Sequence, residues 1–169
     1  MTELTTGQRL RWFNELPQAE AVAELLAVCH SRRWAELVAA GRPYPDLDAL
    51  QRTADEVWTG LEEADWLEAF EAHPRIGERG GASAAWSNQE QAGVGAAGQE
   101  VQAAIARGNA EYEDRFGHVF LVAAAGRSAE EILANLRARL DNDPGTELRV
   151  AAEEHRRITR LRIEKLMRG

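Results

Sequence analysis

Apolar residues recur at intervals of three and four along most of this chain, and that spacing limits the fold more than any other feature. Leu47, Leu50, Ala54, Val57, Trp58 and Leu61 make one stripe. At 3.6 residues per turn they share a helix face. Val22, Leu25, Leu26 and Cys29 make another behind Pro17, whose missing N–H suits a first helical turn. Ala, Leu, Glu and Arg are abundant and β-branched clusters scarce, so propensity agrees with periodicity. The expectation is an all-α fold: a compact single-domain bundle over residues 1–169, with about eight helices and a long C-terminal helix.

Turn chemistry sets the boundaries. A helix from about Ser31 to Ala40 stops at Gly41-Arg42-Pro43-Tyr44-Pro45, and Asp46 caps the next. A helix from near Ala64 turns Trp66, Leu67 and Phe70 inward and ends at His73. After a loop from Pro74 to Ser83, a helix runs through Glu90, and Gly93 to Gly98 separates it from one spanning Gln99 to Asp114. Further helices follow from Ser128 to Leu140 and, with Thr146 as cap, from there toward Gly169. Phe116 to Arg127 is the exception, an apolar run bounded by glycines that fits extended or helical backbone equally. If extended beside a pocket, it offers backbone N–H donors with no side-chain signature.

Charge narrows the partners. With 20 Lys and Arg against 28 Asp and Glu, the net charge of −8 repels polyanions, so nucleic acid is not expected. An anionic small substrate would need a local cation. The lone Cys29 belongs to no disulfide or CxxC motif, no signal-peptide core opens the chain, and no apolar run nears the roughly 20 residues that cross a bilayer. A cytoplasmic protein without membrane contact is expected. The histidines show no HxxxH or HExxH spacing, so no metal is expected. Gly93-Val94-Gly95-Ala96-Ala97-Gly98 matches GxGxxG but follows a helical segment, where a dinucleotide site needs a strand.

Three places could carry chemistry. His73 precedes Pro74, which disfavours helical backbone before it, so its imidazole stands at a rigid helix end. It could move protons near neutrality or simply answer the helix dipole. In Ser87-Asn88-Gln89-Glu90-Gln91, Ser87 shares a helix face with Glu90 and Gln91 and could meet a ligand, yet Ser-x-x-Glu is also a capping box. Leu148, Ala151, His155, Ile158 and Arg162 alternate by three and four, placing Arg162 on or beside an apolar stripe. It could hold a substrate anion or run its stem along the core with its head in water.

Four ordered blocks carry a family resemblance. His73-Pro74-Arg75-Ile76-Gly77, Ser83 to Val94, Tyr112 to Phe120 with Gly126-Arg127-Ser128, and Ile158-Thr159-Arg160-Leu161-Arg162 resemble the 2-oxo-4-hydroxy-4-carboxy-5-ureidoimidazoline (OHCU) decarboxylase family over nearly the whole chain. The resemblance implies an all-helical, cofactor-free homodimer acting on a small anionic ureidoimidazoline in urate breakdown. By matching position, His73 and Glu90 would be catalytic, and Pro74, Ser87, Asn88, Gln89 and Gln91 would shape the pocket and orient the ring. Phe120, Leu121, Val122, Ala123 and Ala124 would supply wall and backbone contacts, and Arg162 would bind an anionic or carbonyl group. His118 and Val119 depart from the family's usual aromatic or apolar residue and proline, which puts the pocket wall in doubt. Alternatives are a decarboxylase or lyase for a related ureido or imidazole acid, and a non-catalytic helical binding module.

Overall fold

The computed structural model describes residues 4–77, 90–95 and 98–168. Among the described residues there are nine helices and no strand: α1 (Thr6–Glu15), α2 (Gln18–Val28), α3 (Arg32–Ala40), α4 (Leu47–Thr59), α5 (Glu63–Glu71), α6 (Ala92–Gly95), α7 (Gln99–Phe116), α8 (Ala129–Arg139) and α9 (Pro144–Arg168). The all-α expectation holds, as does the long C-terminal helix. No helix among the described residues is long and apolar enough to cross a membrane.

The stripes did not announce α1, but a local signal did. Thr5 Oγ1 accepts from the Gln8 N–H at 3.2 Å while Gln8 Oε1 accepts from the Thr5 N–H at 2.8 Å, a reciprocal capping box. At α9 the cap is Asp143 rather than Thr146. The Asp143 carboxylate accepts from the Thr146 N–H at 3.0 Å and the Thr146 hydroxyl at 2.6 Å, so the cap lies three residues earlier and the helix begins at Pro144.

The chain divides into two compact units, Met1–Ala69 with Arg156–Gly169, and Phe70–His155. In the first, Trp34 is completely buried and its indole Nε1–H donates to Ala54 O at 3.1 Å, tying α3 to α4. Arg42 closes two helix ends at once, donating to Phe13 O at 2.8 Å, Leu16 O at 2.6 Å and Ala39 O at 2.8 Å. Carbonyls at helix C-termini have no intrahelical partner, and a guanidinium beyond the helix supplies one. Leu67 corrects the inward reading: it is 37% exposed. Ala69 and Phe70, three and four residues beyond Trp66, are buried, so the inward face of α5 lies about 100° away from Leu67.

In the second unit α7 and α8 pack around Ile105, Tyr112, Phe120, Val122, Ile132 and Leu136. Gly108 permits the approach, since a Cβ there would meet the Leu136 side chain at 2.5 Å. Gly93 has a packing reason too: a Cβ would lie 2.6 Å from Arg127 O. The run from His118 to Ala124 is neither helix nor strand, and it starts after Gly117, whose left-handed φ of 79° ends α7.

Replacing Trp34 by Ala removes a filled indole and one hydrogen bond from the first unit. The expected loss is about 3–5 kcal/mol, read as a lower urea midpoint at unchanged slope.

Candidate active site

His73 follows α5 by two residues, its backbone N–H donating to Phe70 O at 3.1 Å. The ring is partly buried and stands edge-on to His155, with centroids 4.8 Å apart and planes at 83°. His155 is fully buried, as its place on the apolar stripe of α9 requires. Phe70 lies 5.8 Å from His155 and 5.4 Å from His118, so two histidines pack on one phenylalanine and His73 joins them through His155. His118 is partly buried, with Nδ1 3.2 Å from Val119 O and its ring edge-on to Tyr112 at 5.5 Å.

The segment after His73 is pinned from two sides. Asn109 Nδ2 donates to Ile76 O at 2.9 Å, and Arg75 Nε meets both carboxylate oxygens of Glu113 at 2.9 Å, both partners on α7. The Gly77 N–H donates to Gln91 Oε1 at 2.8 Å. Gly77 has φ of 97°, a left-handed conformation that side chains rarely adopt. Two sequence blocks recognised separately, one at His73–Gly77 and one ending at Val94, are thereby joined by a hydrogen bond.

Glu90 is buried at 8% exposure. Ser87, Asn88 and Gln89 lie outside the described residues. Phe120, Leu121, Val122 and Ala124 are buried and Ala123 is partly so. All these described residues, with His73, Pro74 and Gln91, fall in the unit Phe70–His155. Arg162 belongs to the other unit and is 2% exposed, which removes the reading with its head in water. Its Nη1 donates to Val28 O at 3.0 Å. A cavity of about 600 Å³ lies beside the pinned segment, against Arg75, Gly77, Val94, Asn109 and Glu113. None of the candidate catalytic side chains lines it, and its arginine is already neutralised by Glu113.

Sequence reasoning missed a buried polar cluster behind Phe120–Ala124. Arg139, at the end of α8, grips Glu147 near the start of α9 through Nε at 3.1 and 3.0 Å and Nη2 at 2.6 Å. Its Nη1 donates to Leu121 O at 2.5 Å, and its guanidinium lies 4.6 Å above the Phe120 ring. The Tyr112 hydroxyl donates to Glu147 Oε2 at 2.5 Å and Asn142 Nδ2 to Oε1 at 3.1 Å. Burial, then the adjacent carboxylate, hold the Tyr112 hydroxyl well above its usual range, so it stays a donor. No spacing rule links Arg139 to Glu147, since the two are eight residues apart across a turn. Asn142-Asp143-Pro144-Gly145 marked that turn and nothing more.

Among the described residues no three His, Cys, Asp or Glu side chains gather closely enough to share an ion. Cys29 is fully enclosed, and burial pushes its thiol up to about 12 from the ordinary 9.0, with the Ser31 backbone, then Thr159 and Arg162, pulling the other way. The neutral thiol is the form the fold accepts. This contribution to stability is intact below about pH 9, then declines toward pH 12 as the unfolded thiol ionises and the folded one does not. Native protein at pH 8 should therefore resist iodoacetamide, while protein in urea should take one label per chain, read by intact mass.

The family model described as OHCU decarboxylase matches residues 14–164. The 2-oxo-4-hydroxy-4-carboxy-5-ureidoimidazoline decarboxylase of Amia calva is 33% identical over 138 residues, covering 79% of this chain and 79% of that protein. The uric acid degradation bifunctional protein TTL of Arabidopsis thaliana is 34% identical over 146 residues, covering 82% of this chain and 44% of that protein. The chain spans less than half the length of the bifunctional relatives it matches. Among solved structures, a crystal structure of OHCU decarboxylase in the presence of (S)-allantoin superposes with a TM-score of 0.78 at 31% identity, covering 86% of this chain and 98% of that one.

Proposed function

The chain belongs to the OHCU decarboxylase family, and from that premise we propose that it decarboxylates 2-oxo-4-hydroxy-4-carboxy-5-ureidoimidazoline to (S)-allantoin in urate breakdown, without a cofactor. The observation that carries this reading is the tie between the two blocks of the family resemblance. The Gly77–Gln91 hydrogen bond fixes the segment beginning at His73 against the segment beginning at Glu90. Two groups suited to proton transfer thus stand at the ends of hydrogen-bonded stretches of chain in one compact unit.

The chemistry asks little of the protein. When the carboxylate leaves as CO2, the electron pair of the broken C–C bond enters the conjugated C=N system of the substrate ring, which is its own electron sink. The ring nitrogen that received the pair takes up a proton from solvent, the ring hydroxyl loses its own as a carbonyl forms, and a proton is delivered to ring carbon. His73, aligned by Glu90, exchanges these protons, and delivery to one face gives the (S) product. Pro74, Ser87, Asn88, Gln89 and Gln91 hold the ring in register, so that the breaking bond stands perpendicular to the π-system. Phe120 to Ala124 form a wall whose N–H groups face the ligand, and Arg162 supplies the local cation that the net charge of −8 makes necessary. Residues 1–169 act as one functional domain, in a cytoplasmic homodimer.

The activity is tested by generating the substrate in place from urate with uricase and 5-hydroxyisourate hydrolase and following optical rotation. Dextrorotatory allantoin should build up rapidly only when this protein is added; slow racemic product with and without it would refute the reading. In the same assay His73→Asn should lower kcat at least about tenfold while the melting temperature stays near wild type. Glu90→Gln separates catalysis from capping. A catalytic Glu90 gives a kinetic loss at near-native stability, whereas a mere cap gives native kinetics and a loss of about 1 kcal/mol.

A further inference from the structure

The buried cluster behind the wall has a geometric consequence for the wall itself. Arg139 is only 5% exposed, and its donors go to the Glu147 carboxylate, the carbonyl of Leu121 and, at a longer 3.3 Å, Asn135 Oδ1. A trans peptide is planar, with its C=O and N–H pointing in opposite directions. Among the described residues the cis peptide is at Arg42-Pro43, far along the sequence. With the Leu121 carbonyl drawn to the guanidinium, the N–H of Val122 in the same peptide is turned to the opposite side of the chain. Val122 is 2% exposed, and no group among the described residues accepts from that N–H. A buried N–H left unmatched is unfavourable by about 1–3 kcal/mol, and most such groups in native proteins have a partner.

The anchor is built so that it cannot swing. Glu147 is completely buried and is held by Tyr112 and Asn142 as well as by Arg139, and the guanidinium sits over the Phe120 ring. A hydrogen bond from a cation also polarises the peptide, which strengthens the N–H as a donor on the far side.

We propose that Arg139 is a positioning residue for the reaction: by holding the Leu121 carbonyl it presents the Val122 N–H to a carbonyl or carboxylate oxygen of the ligand. The proposal rests on the reading above that Phe120–Ala124 wall the substrate site. Arg139 and Glu147 then act through the backbone, and neither touches substrate.

Arg139→Lys tests it, because lysine keeps the charge but lacks the fork that serves Glu147 and Leu121 together. In wild type, adding (S)-allantoin should move the Val122 amide resonance in a 15N–1H spectrum. In Arg139→Lys that response should shrink and kcat/KM should fall about tenfold, the worth of one well-made hydrogen bond, with the circular dichroism spectrum unchanged. A folded Arg139→Lys protein with native kcat and KM would overturn the proposal. If the variant does not fold, the wild-type titration decides: a Val122 amide that ignores saturating allantoin overturns it, and a shifted one supports it. Failure of the functional reading looks different, as wild-type protein would then give no turnover in the coupled assay.

Discussion

A guanidinium shut away from water has to be answered by protein oxygens, and the way Arg139 is answered organises the unit Phe70–His155. A buried ion pair adds little net stability, since desolvation offsets most of the attraction. Its contribution is directional. The Arg139–Glu147 pair fastens the end of α8 to the start of α9, brings in the hydroxyl of Tyr112 from α7, and fixes the non-helical run at Leu121. That run has neither helical nor sheet hydrogen bonding of its own, so its shape comes from the side chains behind it.

The second organising feature is aromatic. Phe70, Tyr112, Phe116, Phe120, His118 and His155 pack in a chain of edge and tilted contacts, with Phe116 stacked beside His118 and His73 at one end. Rings packed in this way hold each other's planes by the attraction of positive edges for negative faces. For an imidazole that is to move a proton, orientation matters as much as basicity, and the contact with fully buried His155 restricts the tilt of His73.

Much of this was legible in the sequence, for reasons that differ by residue. The stripe through Leu50, Ala54 and Trp58 gave α4, and the alternation ending at Arg162 set His155 and Arg162 on or beside an apolar face without deciding whether the guanidinium reached water; both side chains are buried. Helical periodicity reports what faces the core, and burial is what it predicts well. It is weaker on short helices such as α5, where a few apolar residues fit two registers and Leu67 fell on the wrong one. It is silent on Arg139 with Glu147, because a contact across a turn leaves no repeat. Asp143 and Thr146 could each cap α9, and only geometry told them apart. Where periodicity had nothing to say, at a loop residue before a proline, the family blocks alone pointed to His73 as the proposed centre.

α9 is unbroken over 25 residues, and along it Glu147 and His155 serve different neighbours. Eight residues of helix separate them by about 12 Å and a little over two turns. Gaining or losing a single residue between them would rotate one past the other by about 100°, swinging either the carboxylate away from Arg139 or the imidazole away from His73. This stretch of the molecule can therefore drift over time by exchange of side chains but not by change of length, and its residue count is as much a part of the inheritance as its chemistry.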